Sequence, residues 1–208
     1  MKIVVYVEGA GDRLCLEALL DPLLKEHAAA GVPIEFVEMT QGDRKTALLT
    51  IAPVKAALAV LNDPNVIVVL LPDLYPPNKG FAHTTCKEMQ TGVLDRFRRE
   101  ILRRHGSDDR LADRFRVFCL IHDLEVLLLA AEEQLLPACG RTAVEWATPV
   151  EQQNHDDPPK RVVEKLIPGY RPTIDGPRIL ASADYRVIRD RCPRGFGQFV
   201  AFLESVNA

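Results

Sequence analysis

Glu8 and Asp73 are the residues whose types and settings point most directly to chemistry. Each ends a short apolar run rich in β-branched residues. Residues 3–7 deliver Glu8 into the turn Gly9-Ala10-Gly11, and residues 66–71 lead to Pro72-Asp73. Carboxylates at the carboxyl ends of parallel strands sit where open α/β sheets place their ligands. Such oxygen donors suit a hard divalent cation, magnesium or manganese, which often needs only one or two carboxylates beside phosphate and water. A structural role accounts for the same residues. Glu8 would complement the positive start of the next helix, and Asp73 would open an Asp-turn before Pro76-Pro77.

Two further clusters stand at expected element boundaries. His122-Asp123-Leu124-Glu125 follows a third apolar run, residues 115–121. If a helix opens at His122, then His122 and Glu125 share a face and converge on one ion or water. The competing role is a capped first turn with acids favouring the dipole. Lys160-Arg161, after Pro158-Pro159, puts two cations at a helix start, where they oppose the dipole. That calls for compensation by a bound phosphate or by Asp156 and Asp157. The arginines at 96, 98, 99, 103 and 104, and those at 186, 189, 191 and 194, read first as solvated helix faces. His155, beside Asp156-Asp157, is a loop ligand candidate. Cys192 and Ser182 have no visible base partner.

Nucleotide-binding turns do not fit. Gly9 and Gly11 are followed by Leu14 where the dinucleotide fingerprint needs its third glycine, and Glu8 would repel a pyrophosphate. No Gly-x-x-x-x-Gly-Lys-Ser/Thr loop occurs.

The elements that must carry these residues alternate. Strands are expected at 3–7, 33–38, 66–71 and 115–121. Helices are expected over 12–30, 43–61 with a break near Pro53, 84–105 and 122–136. That alternation predicts an α/β fold, a mainly parallel sheet with helices on both faces. Residues 1–136 form the expected core. Residues 137–208 begin with a proline-rich excursion and continue as a helical C-terminal appendage packed on that core. The 208 residues carry a formal net charge of −3, which excludes a globally basic nucleic-acid binder but not local basic patches. Aromatics at 6% argue against an extended base-stacking platform. Five widely spaced cysteines without a Cys-x-x-Cys pair predict free thiols and a cytoplasmic protein. The apolar runs are too short to span a bilayer.

The turn Val7-Glu8-Gly9 after a first strand, with a later apolar strand ending in an acid, resembles the Toprim domain of topoisomerases, primases and OLD-type nucleases. In that family an Asp-x-Asp pair holds magnesium. Here the pair would be Asp73-Leu74-Tyr75, so the second acid is a tyrosine. More closely, the chain resembles a Toprim-like bacterial family of unknown function, often encoded beside an AAA-type ATPase in defence-like loci. That resemblance runs through VEG, PDLY, IHDLEVLL, PPKRVVEKLIPGYR and DGP. It implies a magnesium-dependent nuclease of a two-component antiphage system, with manganese able to replace magnesium. Glu8, Asp73 and Glu125 would be its catalytic and metal residues, and Lys160, Arg161 and His122 would bind substrate. The partners implied are nucleic acid (DNA or RNA), an AAA-type ATPase and a second copy of the chain in a homodimer. The alternative is a catalytically degenerate Toprim subunit that partners the ATPase, and Tyr75 supports it.

Overall fold

The computed structural model describes residues 1–106, 109–152 and 156–206; His155 therefore lies outside the described residues. In chain order the elements begin β1 (Lys2–Val7), α1 (Ala10–Leu19), α2 (Asp21–Ala29), β2 (Ile34–Glu38), α3 (Arg44–Thr50) and α4 (Ala52–Asn62). They continue with β3 (Val66–Leu70), α5 (Cys86–His105), α6 (Asp109–Ala112), β4 (Phe115–Val117), α7 (Val126–Ala130) and α8 (Glu132–Ala138). The last four are α9 (Pro159–Leu166), α10 (Asp175–Leu180), α11 (Tyr185–Arg191) and α12 (Phe196–Val206). The chain forms two compact units. The first holds Met1–Gly9 and Glu26–Cys119, and the second holds Ala10–Lys25 and Leu120–Ala208.

The first unit contains the expected parallel sheet, in the order β2-β1-β3-β4. Its strands are built from Ile and Val, whose branched side chains suit a pleated, buried surface. Ile3, Val5, Val7, Val68, Val69 and Leu70 are fully buried. Helix α5 buries Met89, Val93, Phe97 and Ile101, one residue every turn or so, and presents arginines on its other face. Phe97 stacks on Phe115 of β4 with ring centroids 4.3 Å apart. A reciprocal capping box between Thr85 and Glu88 starts this helix. The break near Pro53 is present: α3 and α4 meet at a 43° bend. Proline lacks the N–H that would continue the helical ladder, so it stands in the first turn of α4 instead.

The helix expected over 12–30 is two helices. The break falls at Leu20, because Pro22 lacks the N–H that a continuing helix would donate to Ala18 O and so stands in the first turn of α2. The helix expected over 122–136 is also two, and it begins only at Val126. His122 and Glu125 therefore share no helix face, which corrects the spacing argument made for them.

In the second unit, α7 is buried at every position from Val126 to Ala130. Helices α1 and α10 approach closely at Gly176, where a Cβ would lie 2.6 Å from Cys15 Sγ. Glu151 is 1% exposed and accepts the backbone N–H groups of Arg194 (3.0 Å) and Gly195 (2.7 Å). All five cysteines are free thiols. Among the described residues, no single helix is long and apolar enough to cross a membrane.

Removing the Phe97 ring leaves a cavity against β4 that the sheet cannot close. Phe97→Ala is expected to destabilise the protein by about 3–5 kcal/mol, read from the midpoint of chemical denaturation. A loss below about 1 kcal/mol would show that the stacked pair is not part of the core.

Candidate active site

In the first unit, β1 and β3 are hydrogen-bonded neighbours, with Tyr6 opposite Leu70 and Leu71 N–H continuing the ladder to Tyr6 O at 3.0 Å. The two strands therefore release Glu8 and Asp73 side by side at their carboxyl ends. Glu8 Oε1 accepts the backbone N–H of Asp73 at 3.2 Å. An aspartate's own carboxyl lies within about 5 Å of its backbone nitrogen, so the two carboxyl groups fall within roughly 8 Å of each other. Both side chains are half-buried. Tyr75, also half-buried, occupies the position after next.

Lys45 was not singled out by sequence, and the structure brings it to this pair. It lies in the first turn of α3, which Asp43 caps by accepting Thr46 N–H at 2.8 Å. Lys45 is only 4% exposed, and its Nζ donates to Leu74 O at 3.0 Å. Burying an ammonium costs several kcal/mol. One charged hydrogen bond returns only about 1.5–3 kcal/mol, so nearby negative charge must supply the rest. Burial pushes the Lys45 amine below its ordinary range, while the Glu8 and then the Asp73 carboxylates oppose that shift. The signal was present in the sequence: a cation in a first helical turn after a strand, the argument applied to Lys160.

Two other groups line the same loops. A Cβ at Gly9 would stand 2.8 Å from Arg44 Nη1, so the glycine leaves room for that guanidinium. His83 is 2% exposed, its Nδ1 lies 2.9 Å from Phe81 O, and its Nε2 has no hydrogen-bond partner. Donation from Nδ1 leaves Nε2 as an acceptor. Burial lowers the His83 pKa, which favours the neutral ring. Phe81 is seated against Gly92, where a Cβ would clash with its ring, and the Arg96 guanidinium lies over that ring 5.5 Å from its centroid.

The remaining sequence candidates belong to the second unit. Asp123 and Glu125 are 7% and 5% exposed. Burial pushes Asp123 up to about 6. Burial, then the Asp123 charge, pushes Glu125 up to about 8. Asp123 Oδ2 accepts the backbone N–H of Lys160 at 3.3 Å, so a carboxylate caps the start of α9. Asp123 Oδ1 and the Tyr170 hydroxyl are buried without a hydrogen-bond partner. Lys160 and Arg161 are exposed. Arg161 Nη1 donates to Asp156 O at 2.6 Å, and Asp157 pairs with Lys165 at 2.7 Å. Asp123, which the sequence did not suggest for this role, thus complements the helix start. His122 is half-buried in the preceding loop.

Most of the arginine runs are held by the protein itself. Arg103 and Arg104 pair with Glu100, Arg189 with Glu204, Arg191 with Glu133, and Arg194 with Glu151. Within either unit, no group of three or more His, Cys, Asp or Glu among the described residues is arranged to hold a metal ion. The donor set at Glu8 and Asp73 nevertheless fits a hard cation, which accepts two carboxylates and completes its shell with water and phosphate.

The fold is that of the C-terminal region of OLD proteins. The chain is similar to that region of the Burkholderia pseudomallei OLD protein, with a TM-score of 0.56 and 14% identity over 99% of this chain and 98% of the other. It is also similar to that of the Xanthomonas campestris pv. campestris OLD protein phased with mercury, with a TM-score of 0.51 and 16% identity over 99% and 98%. By sequence the chain belongs to the family described as "Domain of unknown function (DUF4276)", matched over residues 7–204. No curated protein sequence matches it.

The buried acids of the second unit predict a pH dependence. Their folded pKa values lie above the ordinary carboxyl range, so the protonated forms favour the folded state. Their contribution is complete below about pH 4 and is lost as pH rises through about 6 and then about 8. Glu125→Gln keeps the shape without the charge. It should raise thermal stability at pH 9 by roughly 1–3 kcal/mol relative to wild type and leave it nearly unchanged at pH 4. Equal effects at both pH values would show that Glu125 ionises without penalty.

Proposed function

We propose that the protein cleaves phosphodiester bonds of nucleic acid with a divalent cation held by Glu8 and Asp73. The observation that carries this reading is the pairing of those acids at the ends of adjacent parallel strands, with the 3.2 Å bond from Asp73 N–H to Glu8. Bound there, magnesium or manganese would polarise a phosphoryl oxygen and make a bound water more acidic. Asp73 and Glu8 would supply the oxygen donors, or Glu8 would instead accept a proton from the attacking water. The Lys45 ammonium adds positive charge where the phosphate develops negative charge. Glu125 is left out of the ion site because a buried carboxyl pushed up to about 8 is mostly protonated at neutral pH. His122 carries no assigned step, because it stands in the loop before α7 and shares no helix face with Glu125. Lys160 and Arg161 are proposed to engage backbone phosphate from the start of α9.

The resemblance to a family that accompanies AAA-type ATPases extends this reading to the effector of a two-component defence system in the cytoplasm. Tyr75 in the second-acid position favours a second reading, a binding subunit without turnover that partners such an ATPase.

The experiment is manganese- or magnesium-dependent cleavage of plasmid DNA and of RNA. Glu8→Ala and Asp73→Ala should each lower the rate at least about a hundredfold while leaving most nucleic-acid binding intact. Binding without any metal-dependent cleavage in the wild type would favour the binding subunit. Lys160→Ala with Arg161→Ala should instead weaken binding and reduce its salt dependence by about two released counterions. An unchanged salt slope would assign both cations to the protein surface alone.

A further inference from the structure

We propose that Cys86 and Cys119 form a dithiol that hydrogen peroxide converts reversibly into a disulfide, with Cys86 as the attacking sulfur and Cys119 as the resolving one. The inference stands apart from the metal reading, because it uses neither carboxylate as a ligand.

The way α5 lies on β4 brings the two thiols together. The helix runs against the strand: Phe97 stacks on Phe115 at 4.3 Å, and Gln90, two turns earlier, donates from Nε2 to Val117 O at 3.1 Å. Cys86 stands one turn before Gln90 on the same helix face, about 6 Å back along the axis. Cys119 stands two residues past Val117, about 6.6 Å further along the strand direction and on the same side of it. That direction is kept beyond β4, since Phe118 N–H still donates to Leu70 O at 2.9 Å. The register that sets 97 against 115 and 90 against 117 therefore sets 86 against 119, and the two thiols share a hydrogen bond.

Both thiols are reduced. Cys86 is the first residue of α5 and Cys119 follows the last residue of β4, so small shifts at element ends can close the sulfurs to the S–S bond length of about 2.05 Å. Exposure assigns the roles. Cys86 is half-exposed and Cys119 is 2% exposed, so an oxidant reaches Cys86 first. The Cys86 sulfur attacks one peroxide oxygen, the O–O bond breaks, and the other oxygen leaves as water with the thiol proton. The Cys119 sulfur then attacks the resulting Cys86 sulfenic acid. The S–S bond forms, the S–O bond breaks, and the hydroxyl leaves as water with the Cys119 proton. Two thiols have lost two electrons and two protons, and one peroxide has become two waters. Cys139, the other half-exposed cysteine, is instead bonded through Sγ to Leu136 O at 3.2 Å. The charges of Asp73 and Lys45 both act on Cys119, so the bridge forms beside the candidate site.

The test is oxidation of the reduced full chain with hydrogen peroxide, blocking of the remaining thiols with iodoacetamide, and digestion without reductant for mass spectrometry. The wild type should yield a Cys86–Cys119 cross-linked peptide lighter by two hydrogen atoms, and dithiothreitol should restore both thiols. The cross-link should form at least about tenfold faster in the folded chain than in guanidinium, where the fold no longer sets the effective concentration of the pair. Cys139→Ser should cross-link as the wild type does. Cys119→Ala should stop at a sulfenic acid on Cys86 that dimedone traps, and Cys86→Ala should leave Cys119 reduced. Circular dichroism reports folding, and where a variant does not fold, the wild-type cross-link and its guanidinium control decide the matter. Absence of the Cys86–Cys119 cross-link, or formation no faster in the folded chain, would overturn the proposal. A folded Cys86→Ala whose Cys119 is oxidised as fast as in the wild type would overturn it as well.

Discussion

The parallel pairing of β1 with β3 is the constraint on which the candidate site depends. Neighbouring parallel strands end at the same edge, so two acids that are 65 residues apart in the chain emerge within one hydrogen bond of each other. Like charges that close repel, and the protein answers with a buried cation. Burial disfavours the Lys45 ammonium, and the Glu8 and Asp73 carboxylates oppose that penalty.

The second unit handles two neighbouring acids in a different way. Asp123 and Glu125 are buried more deeply, and among the described residues of this unit no lysine or arginine is buried. The opposing contributions are the Lys160 backbone N–H and the charge of an exposed lysine, which do not offset the cost of desolvation. The result is retention of a proton by Glu125 at neutral pH, while Asp123 gives up its proton at a higher pH than an ordinary aspartate. One pair of acids is thus half-buried beside a buried cation, and the other serves as a cap and a neutral buried carboxyl. Residue type does not distinguish them; burial and the nearest cation do.

Several features were legible in the sequence because they depend on local pattern. The runs ending at Glu8 and Asp73 are β-branched and apolar, and they became β1 and β3 with the acids where the pattern put them. The helix expected over 84–105 became α5, with Met89, Val93, Phe97 and Ile101 buried at four-residue spacing, and Pro53 marked the bend before α4. The reading failed where a local rule was applied without its competitor. Pro22 divides the first long helical pattern, and the apolar run after His122 starts its helix one turn late. A run as uniformly apolar as 126–131 carries no period that could locate its first turn.

The sequence by itself determined that this is an α/β chain with acids at two strand ends, because alternation of apolar runs and turn residues encodes element type and order. It determined the second position after Asp73 as a tyrosine, and hence a site with one acid fewer than the resemblance would lead one to expect. Only the tertiary structure decided which cation meets which acid. Lys45 and Lys160 occupy the same kind of position, a first helical turn, yet one is buried against Glu8 and Asp73 and the other is exposed at a helix that Asp123 already caps. Charge is a property of a residue, but its energy depends on dielectric surroundings and distance, and both are set by packing between elements far apart in the chain.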